Sequence, residues 1–212
     1  MMWKIGIPSP LLAALAGFML AGCSVFGVQG VEEAGYTVLE SDGDVEVRQY
    51  ADYTIARTFV AASYEDMSGE VFGRLFDYIS GDNISGDSIA MTAPVLMASS
   101  GQDIAMTAPV LMEADGEGWW MAFVLPEGMN AASAPRPADP LIEIVDIAGP
   151  RMASLRFSGW MDEETIRIEA ERLRAWIDQH GLEVSPDYQV AGYDPPWTIP
   201  FLRRNEVLME LR

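Results

Sequence analysis

The 212-residue sequence contains one cysteine, one histidine and one lysine, which are Cys23, His180 and Lys4. A single cysteine excludes an internal disulfide and a Cys-x-x-Cys redox pair, and a single histidine excludes a histidine-rich metal cluster. Lys4 lies in a segment that we expect to be removed, so the mature chain has no lysine for a Schiff base or a Walker-type phosphate site. These absences exclude most enzyme chemistries, and a Ser-His-Asp triad would have to use His180.

Basic residues are also scarce, because 13 lysines and arginines stand against 32 aspartates and glutamates, a formal net charge of −19. Without Lys4 the charge becomes −20. Phosphate binding needs a basic surface, so this balance argues against a nucleic acid partner. Hydrophobic residues make up 50% of the chain, which is enough apolar material to build a folded core.

Residues 1–22 have the features of a lipoprotein signal peptide. Lys4 precedes an apolar stretch, Leu11 to Leu20, that is shorter than the roughly 20 residues a membrane-spanning helix needs. Leu20-Ala21-Gly22-Cys23 resembles the lipobox of bacterial lipoproteins, in which the cysteine is lipidated and becomes the first residue. A plain signal peptide and a buried cysteine are the alternatives. Ser24 stands where an aspartate would indicate inner-membrane retention, so we expect an outer-membrane lipoprotein facing the periplasm.

After a tether at residues 23–34, residues 35–212 indicate one α+β domain. Alternation of apolar and polar residues and an Asp-Gly turn predict a hairpin first, and turn signals divide the remainder. We predict helices at 63–79 and 162–180, and strands at about 36–40, 45–50, 53–61, 88–97, 104–112, 118–125, 141–148, 151–158, 187–193 and 205–211. The order of elements repeats, which predicts two similar halves sharing an antiparallel sheet or barrel.

The first predicted helix carries an apolar stripe at every fourth position: Met67, Val71, Leu75 and Ile79. Phe72 and Phe76 lie beside the stripe, and Gly69 and Gly73 lie on a neighbouring face. Each glycine costs about 1 kcal/mol relative to alanine in a helix interior. Their presence indicates that something flat or close lies against this face, and close packing on a sheet is the alternative.

The most unusual feature is a duplication, because Ile89–Met97 (IAMTAPVLM) recurs unchanged as Ile104–Met112. In an extended conformation both faces of this segment are apolar, so each copy is buried on both sides or lines a cavity. The methionines of the two copies would give a deformable thioether lining if the copies pair. Core packing is the alternative for any one of them.

The IAMTAPV segment resembles the most specific motif of the SOUL heme-binding protein family. The resemblance covers nearly all of the mature chain from about Glu33, and other motifs match in order: Val47–Tyr50, Leu75–Asn83, Phe123–Pro126, Tyr193–Trp197 and Arg203–Val207. It implies an α+β fold, a distorted antiparallel β-barrel of two pseudo-symmetric halves flanked by two long α-helices. It also implies non-covalent binding of heme or a related tetrapyrrole in an apolar cleft.

The resemblance assigns the ligand to the first helix and the strand that faces it. The heme-binding candidates are therefore Met67, Val71, Arg74, Leu75, Tyr78, Met91 and Met106. Arg74 can pair with a propionate, with Arg203 and Arg204 as alternatives. A histidine in the last turn of a helix is favourable there without a metal, so His180 is a weak axial-ligand candidate. Methionine, tyrosine or no axial ligand are the other options.

We expect a binding protein and not an enzyme, because no carboxylate pair or nucleophile–base arrangement is evident. Its role would be transport, buffering or storage of heme at the cell envelope, with membrane contact through the lipid anchor only. The alternative is a carrier or sensor of amphipathic small molecules, including cations, for which heme is incidental. A strongly acidic protein favours cationic ligands, which supports that alternative.

Overall fold

The computed structural model describes residues 33–60, 69–93, 95–99, 119–194 and 197–212. Its helices are α1, Glu70–Ile79, and α2, Glu163–Gln179, and a short 3-10 turn spans Pro200–Leu202. Its strands are β1 Tyr36–Asp42, β2 Val45–Tyr50, β3 Tyr53–Val60, β4 Val95–Ser99, β5 Trp119–Val124, β6 Ile142–Ile147, β7 Arg151–Phe157, β8 Gln189–Gly192 and β9 Asn205–Glu210. None of the helices in these ranges has the length and apolar character needed to span a bilayer.

The described strands form one antiparallel sheet in the order β1-β2-β7-β9-β8-β4-β5-β3-β6. The sheet is curled, so the predicted α+β fold with an antiparallel, barrel-like sheet is confirmed at that level. The equivalence of the two halves stays a prediction.

Both helices cover the same face of the sheet. Helix α1 packs on β3 and β5, and α2 packs on β7 and β9. The buried side chains under the two helices form two apolar clusters, and Met161 contacts both. The helices therefore share a single layer on one side of the sheet.

The opposite face, which neither of the two described helices covers, is the inside of the curl. Its apolar residues also form two clusters, which Leu96 joins. Side chains from β2, β3, β4, β5, β7, β8 and β9 converge there on a cavity of only about 20 Å³. The described side chains of the inner face are thus closely packed around this cavity.

Helix α2 begins and ends where capping chemistry predicts. The Asp162 carboxylate accepts a hydrogen bond from the Thr165 amide at 2.8 Å, and Gly181 adopts a φ of +65° directly after the last turn. Helix α1 is described from Glu70 onward, so the predicted start at residue 63 lies outside the described residues.

The first copy of the duplicated segment enters the sheet later than predicted. Strand β4 begins at Val95, whereas the sequence predicted a strand from residue 88. The residues before it bond to other partners: the Ile89 amide donates to the Ile79 carbonyl at the end of α1, and the Thr92 hydroxyl donates to the Val124 carbonyl. The second copy, 104–112, lies outside the described residues.

Deleting residues 98–112 removes one copy and tests whether the fold needs both. In the register of β4 and β5, Glu113 and Ala114 would then take the positions opposite Trp120 and Trp119, which leaves Asp115–Gly118 as a short Asp-Gly loop. We expect the shortened chain to fold. Its free energy of unfolding, measured with urea, should rise by about 1 kcal/mol because closing a shorter loop costs less entropy.

The matched control for this deletion replaces 104–112 with nine glycine and serine residues and keeps the chain length. It should leave the urea midpoint unchanged. A large loss of stability in both variants would show that the second copy is part of the folded core.

The buried carboxylate of Glu206 is hydrogen-bonded to several side chains on the inner face. Its oxygens accept hydrogen bonds from Arg48 at 2.6 and 3.1 Å, from Arg204 at 3.0 Å, from Tyr193 at 2.8 Å and from Ser154 at 3.1 Å. Burial alone would raise the pKa of Glu206, but the hydrogen bonds and charges of Arg48 and Arg204 outweigh it and hold the pKa below the usual range. The carboxylate therefore stays ionised, and its acceptor positions are filled.

Replacing Glu206 with glutamine should lower the free energy of unfolding by about 3 kcal/mol, because Arg48 is left buried without its main counter-charge. This contribution is fully present above the ordinary carboxyl pKa and is lost as the pH falls. The difference between wild type and Glu206→Gln should therefore shrink below about pH 4.

Urea unfolding at pH 7 and pH 3 measures both effects, and Glu164→Gln serves as the control. Glu164 pairs with Arg167 on the exposed face of α2, where an ion pair contributes little. Equal destabilisation by the two substitutions would contradict the role given to Glu206.

Candidate functional site

Helix α1 has a buried side and an open side that differ sharply in character. Val71, Leu75 and Tyr78 point into the core under the helix and are at most 2% exposed. On the other side, Phe76 is 44% exposed, and a Cβ atom added at Gly69 or Gly73 would meet no atom of the described residues within 4 Å. The glycines therefore lie on the side of the helix away from the sheet, with no described residue against them.

Two aromatic rings flank the glycines on this open side. The rings of Phe72 and Phe76 lie 6.1 Å apart with an interplanar angle of 15°, and Phe72 contacts the ring of Phe123 edge-on at 5.3 Å. The four residues Gly69, Phe72, Gly73 and Phe76, here called the Gly–Phe strip, extend along about 10 Å of helix. The strip is flat, apolar and accessible, which suits a planar hydrophobic ligand.

The structure brings only some of the predicted site residues to this strip. Three of the candidates lie on the core side of α1, opposite the strip, and do not reach its surface: Val71, Leu75 and Tyr78. Met91 is exposed but follows Ile89, which is bonded to the C-terminal end of α1, so it lies near the end opposite Gly69. Met67 and Met106 lie outside the described residues, and the position of Arg74 is given below.

Tyr78 has a structural partner that occupies its hydroxyl group. The hydroxyl donates a hydrogen bond to the Pro135 carbonyl at 2.8 Å, and burial raises the pKa of Tyr78 to about 12. The phenol therefore remains protonated at neutral pH, and its hydroxyl is bonded on the core side of α1.

Arg74 is the cation nearest the strip, and its guanidinium group already has three partners. It lies 3.1 Å from the Asp139 carboxylate and 3.3 Å from that of Glu70, and it donates to the Thr58 hydroxyl at 3.2 Å. Glu70 is largely exposed, so that pair is weak and exchangeable.

The alternative cations, Arg203 and Arg204, lie on the segment between β8 and β9 and not at α1. Arg204 pairs there with Glu206 and Glu33, and the Arg203 guanidinium group lies over the ring of Trp160.

His180 lies on the other helix, at the C-cap of α2. Its Nδ1 atom is 2.8 Å from the Trp176 carbonyl, and its ring stacks on Trp176 with a centroid distance of 3.8 Å. Within the described ranges there is also no group of three His, Cys, Asp or Glu side chains placed to hold a metal ion. The structure thus gives His180 a local partner and keeps it away from α1.

The apolar stripe that the sequence assigned to the site lies on the core side of α1, where Val71, Leu75 and Ile79 are buried. The Gly–Phe strip on the other side consists of the exposed Phe76, the half-buried Phe72 and the two glycines. The signal that could have found them is the coincidence of a glycine pair and a phenylalanine pair, each spaced by four residues.

Comparison with known sequences identifies the family. A sequence model of the SOUL heme-binding protein family matches residues 31–102 and 96–210. The chain belongs to the SOUL family. Each of the two matches contains one copy of the duplicated segment, so the SOUL motif itself is what has been repeated.

Curated relatives of this SOUL protein include vertebrate proteins named Heme-binding protein 1. The Xenopus laevis protein is 27% identical over 191 residues, which cover 89% of this chain and 95% of the relative. The Mus musculus protein is 30% identical over 139 residues, which cover 65% of this chain and 68% of the relative.

Solved structures support the fold. The C-terminal domain of EcmrR superposes with a TM-score of 0.55 at 12% identity, covering 84% of this chain and 98% of that domain. A hydrolase from Listeria innocua superposes with a TM-score of 0.56 at 9% identity, covering 82% and 94%. At these identities the similarity concerns the architecture alone.

Proposed function

We propose that this SOUL protein binds heme or a related tetrapyrrole non-covalently against the Gly–Phe strip. We further propose that it carries, buffers or stores this ligand at the cell envelope. The observation that supports the site is the pair of open glycines beside two stacked phenylalanine rings on α1. Membership of a heme-binding family supports the choice of ligand.

The chemistry of the strip matches what a porphyrin offers. A porphyrin presents a flat apolar disc, and glycine lets such a disc approach the helix backbone where any larger side chain would hold it away. The ring of Phe76 adds an aromatic surface for offset stacking. Val71 and Leu75 hold the helix rigidly on the sheet, so the strip is preformed.

Arg74 can form an ion pair with one propionate while it keeps its present position. Exchange of the exposed Glu70 carboxylate for a propionate keeps the contact with Asp139 and replaces one screened ion pair with another. The iron receives no histidine from α1, and the hydroxyl of Tyr78 is already bonded. The protein therefore holds its cargo mainly through apolar contact, which suits a binding protein and not an enzyme.

The proposed cellular location depends on Cys23. Lipidation of this cysteine would attach the domain to the outer membrane, facing the periplasm, after removal of residues 1–22. The lipobox resemblance of Leu20-Ala21-Gly22-Cys23 supports this location.

Hemin titration with two substitutions at Gly73 tests the site. Gly73→Ala and Gly73→Leu should both raise the thermal midpoint, because either residue favours a helix over glycine by about 1 kcal/mol. Gly73→Leu should weaken hemin binding at least tenfold since its side chain fills the strip, and Gly73→Ala should weaken it less than threefold. The Soret shift measures binding, and thermal unfolding measures stability.

Opposite effects on stability and affinity separate a binding role from a structural one. Equal hemin affinity in wild type and Gly73→Leu would reject the strip as the site, and absence of a saturable Soret shift at micromolar protein would reject heme as ligand. A lipophilic cation that binds where hemin does not would favour the alternative, a carrier of amphipathic cations.

Cys23→Ala should abolish lipid attachment in a Gram-negative host. Wild type grown with a labelled fatty acid should incorporate the label and partition into the detergent phase, and the Cys23→Ala chain should do neither. Equal labelling of the two chains would refute the lipoprotein assignment without bearing on heme binding.

A further inference from the structure

Two segments of the chain together expose four large hydrophobic side chains. Trp160 is 64% exposed, Trp197 65%, Phe201 71% and Leu202 41%. Trp160 precedes α2, and the other three lie between β8 and β9. These four residues are here called the aromatic patch.

Hydrogen bonds join the two segments that form the aromatic patch. The Gly159 amide donates to the Pro200 carbonyl at 2.9 Å, and the Asn205 side chain donates to the Gly159 carbonyl at 3.3 Å. Arg203 also links the two segments, because its guanidinium group lies 4.8 Å from the centre of the Trp160 ring and donates to the Thr198 carbonyl. The patch is therefore one surface held in place by the fold.

The N-terminal end of the described domain lies beside this patch. The carboxylate of Glu33 accepts hydrogen bonds from Arg204 at 2.9 and 3.1 Å, and Arg204 follows Leu202 by two residues. Residues 24–32 separate Glu33 from Cys23, and even fully extended they reach at most about 35 Å. A lipid on Cys23 would thus hold the patch end of the domain close to the bilayer.

The residue types of the patch suit the interface of a membrane. Tryptophan, phenylalanine and leucine insert at the boundary between headgroups and acyl chains, and tryptophan prefers this region because its ring is amphipathic. Arg203 can meet a lipid phosphate while its stem covers the ring of Trp160. The charge of −20 on the mature chain opposes anionic lipids, so the matching surface is zwitterionic phospholipid.

We propose that the aromatic patch is a second membrane contact, which docks the domain on the zwitterionic bilayer that carries the lipid of Cys23. This proposal rests on the lipid anchor of the proposed function. Docking orients the domain, because it places the segments around Trp160 and Trp197 on the bilayer.

Vesicles of phosphatidylcholine and phosphatidylethanolamine test the patch separately from the anchor. The chain from residue 23 with Cys23→Ser carries no lipid and retains every described residue. We expect it to co-sediment with the vesicles, and we expect Trp197→Ser/Phe201→Ser to lower the partition coefficient at least tenfold. Ile84→Ser is the matched control, because Ile84 is 67% exposed but lies beside the segment at Arg136.

Three results would overturn the proposal. The first is that the lipid-free chain does not bind the vesicles. The second is that the patch variant and the Ile84→Ser control bind them equally. The third is that the wild-type chain forms a dimer in sedimentation equilibrium and the patch variant does not. The last result would assign the patch to a second copy of the chain. Thermal unfolding confirms that each variant is folded, and fatty-acid labelling of Cys23 reports separately on the anchor.

Discussion

The buried carboxylate of Glu206 is the constraint on which the inner face of the sheet depends. A carboxylate without partners in that position would cost several kcal/mol, so the five hydrogen bonds that it accepts are a condition of folding. They join side chains from β2 and β7 with Tyr193 and Arg204, which lie at the two ends of the β8–β9 connection. Because Arg204 also pairs with Glu33, the same network anchors the point where the chain enters the domain.

Close packing of the described inner face bears on where a large ligand can bind. The cavity there measures only about 20 Å³, and side chains from seven strands enclose it. The site that we propose for a planar ligand therefore lies outside this cavity, on the side of α1 away from the sheet. The glycines that weaken this helix are tolerated because Val71, Leu75 and Tyr78 hold it on the sheet, so that core packing stabilises a surface that local propensity does not.

The parts of the fold that local chemistry determines could be predicted from the sequence, and those set by distant partners could not. The cap at Asp162 defines the start of α2 because its hydrogen bond spans three residues. The burial of Glu206 depends on Arg48, 158 residues away, and the alternation of β9 gives no sign of it. At the site, periodicity identified the stripe of Val71 and Leu75, but an apolar stripe marks the side that meets the sheet. The glycine pair marks the opposite side of the helix, where we propose the site.

Charge limits how tightly this protein can hold an anionic ligand. A chain with a formal charge of −19 repels a tetrapyrrole with two propionates, although salt screens that repulsion beyond about 8 Å at physiological ionic strength. Arg74 offers little net attraction, because Glu70 and Asp139 already neutralise it. At the proposed strip, binding would then come from short-range contact with rings and backbone, which depends on the shape of the ligand. Contact of this kind fits the carrier or buffer role that we propose.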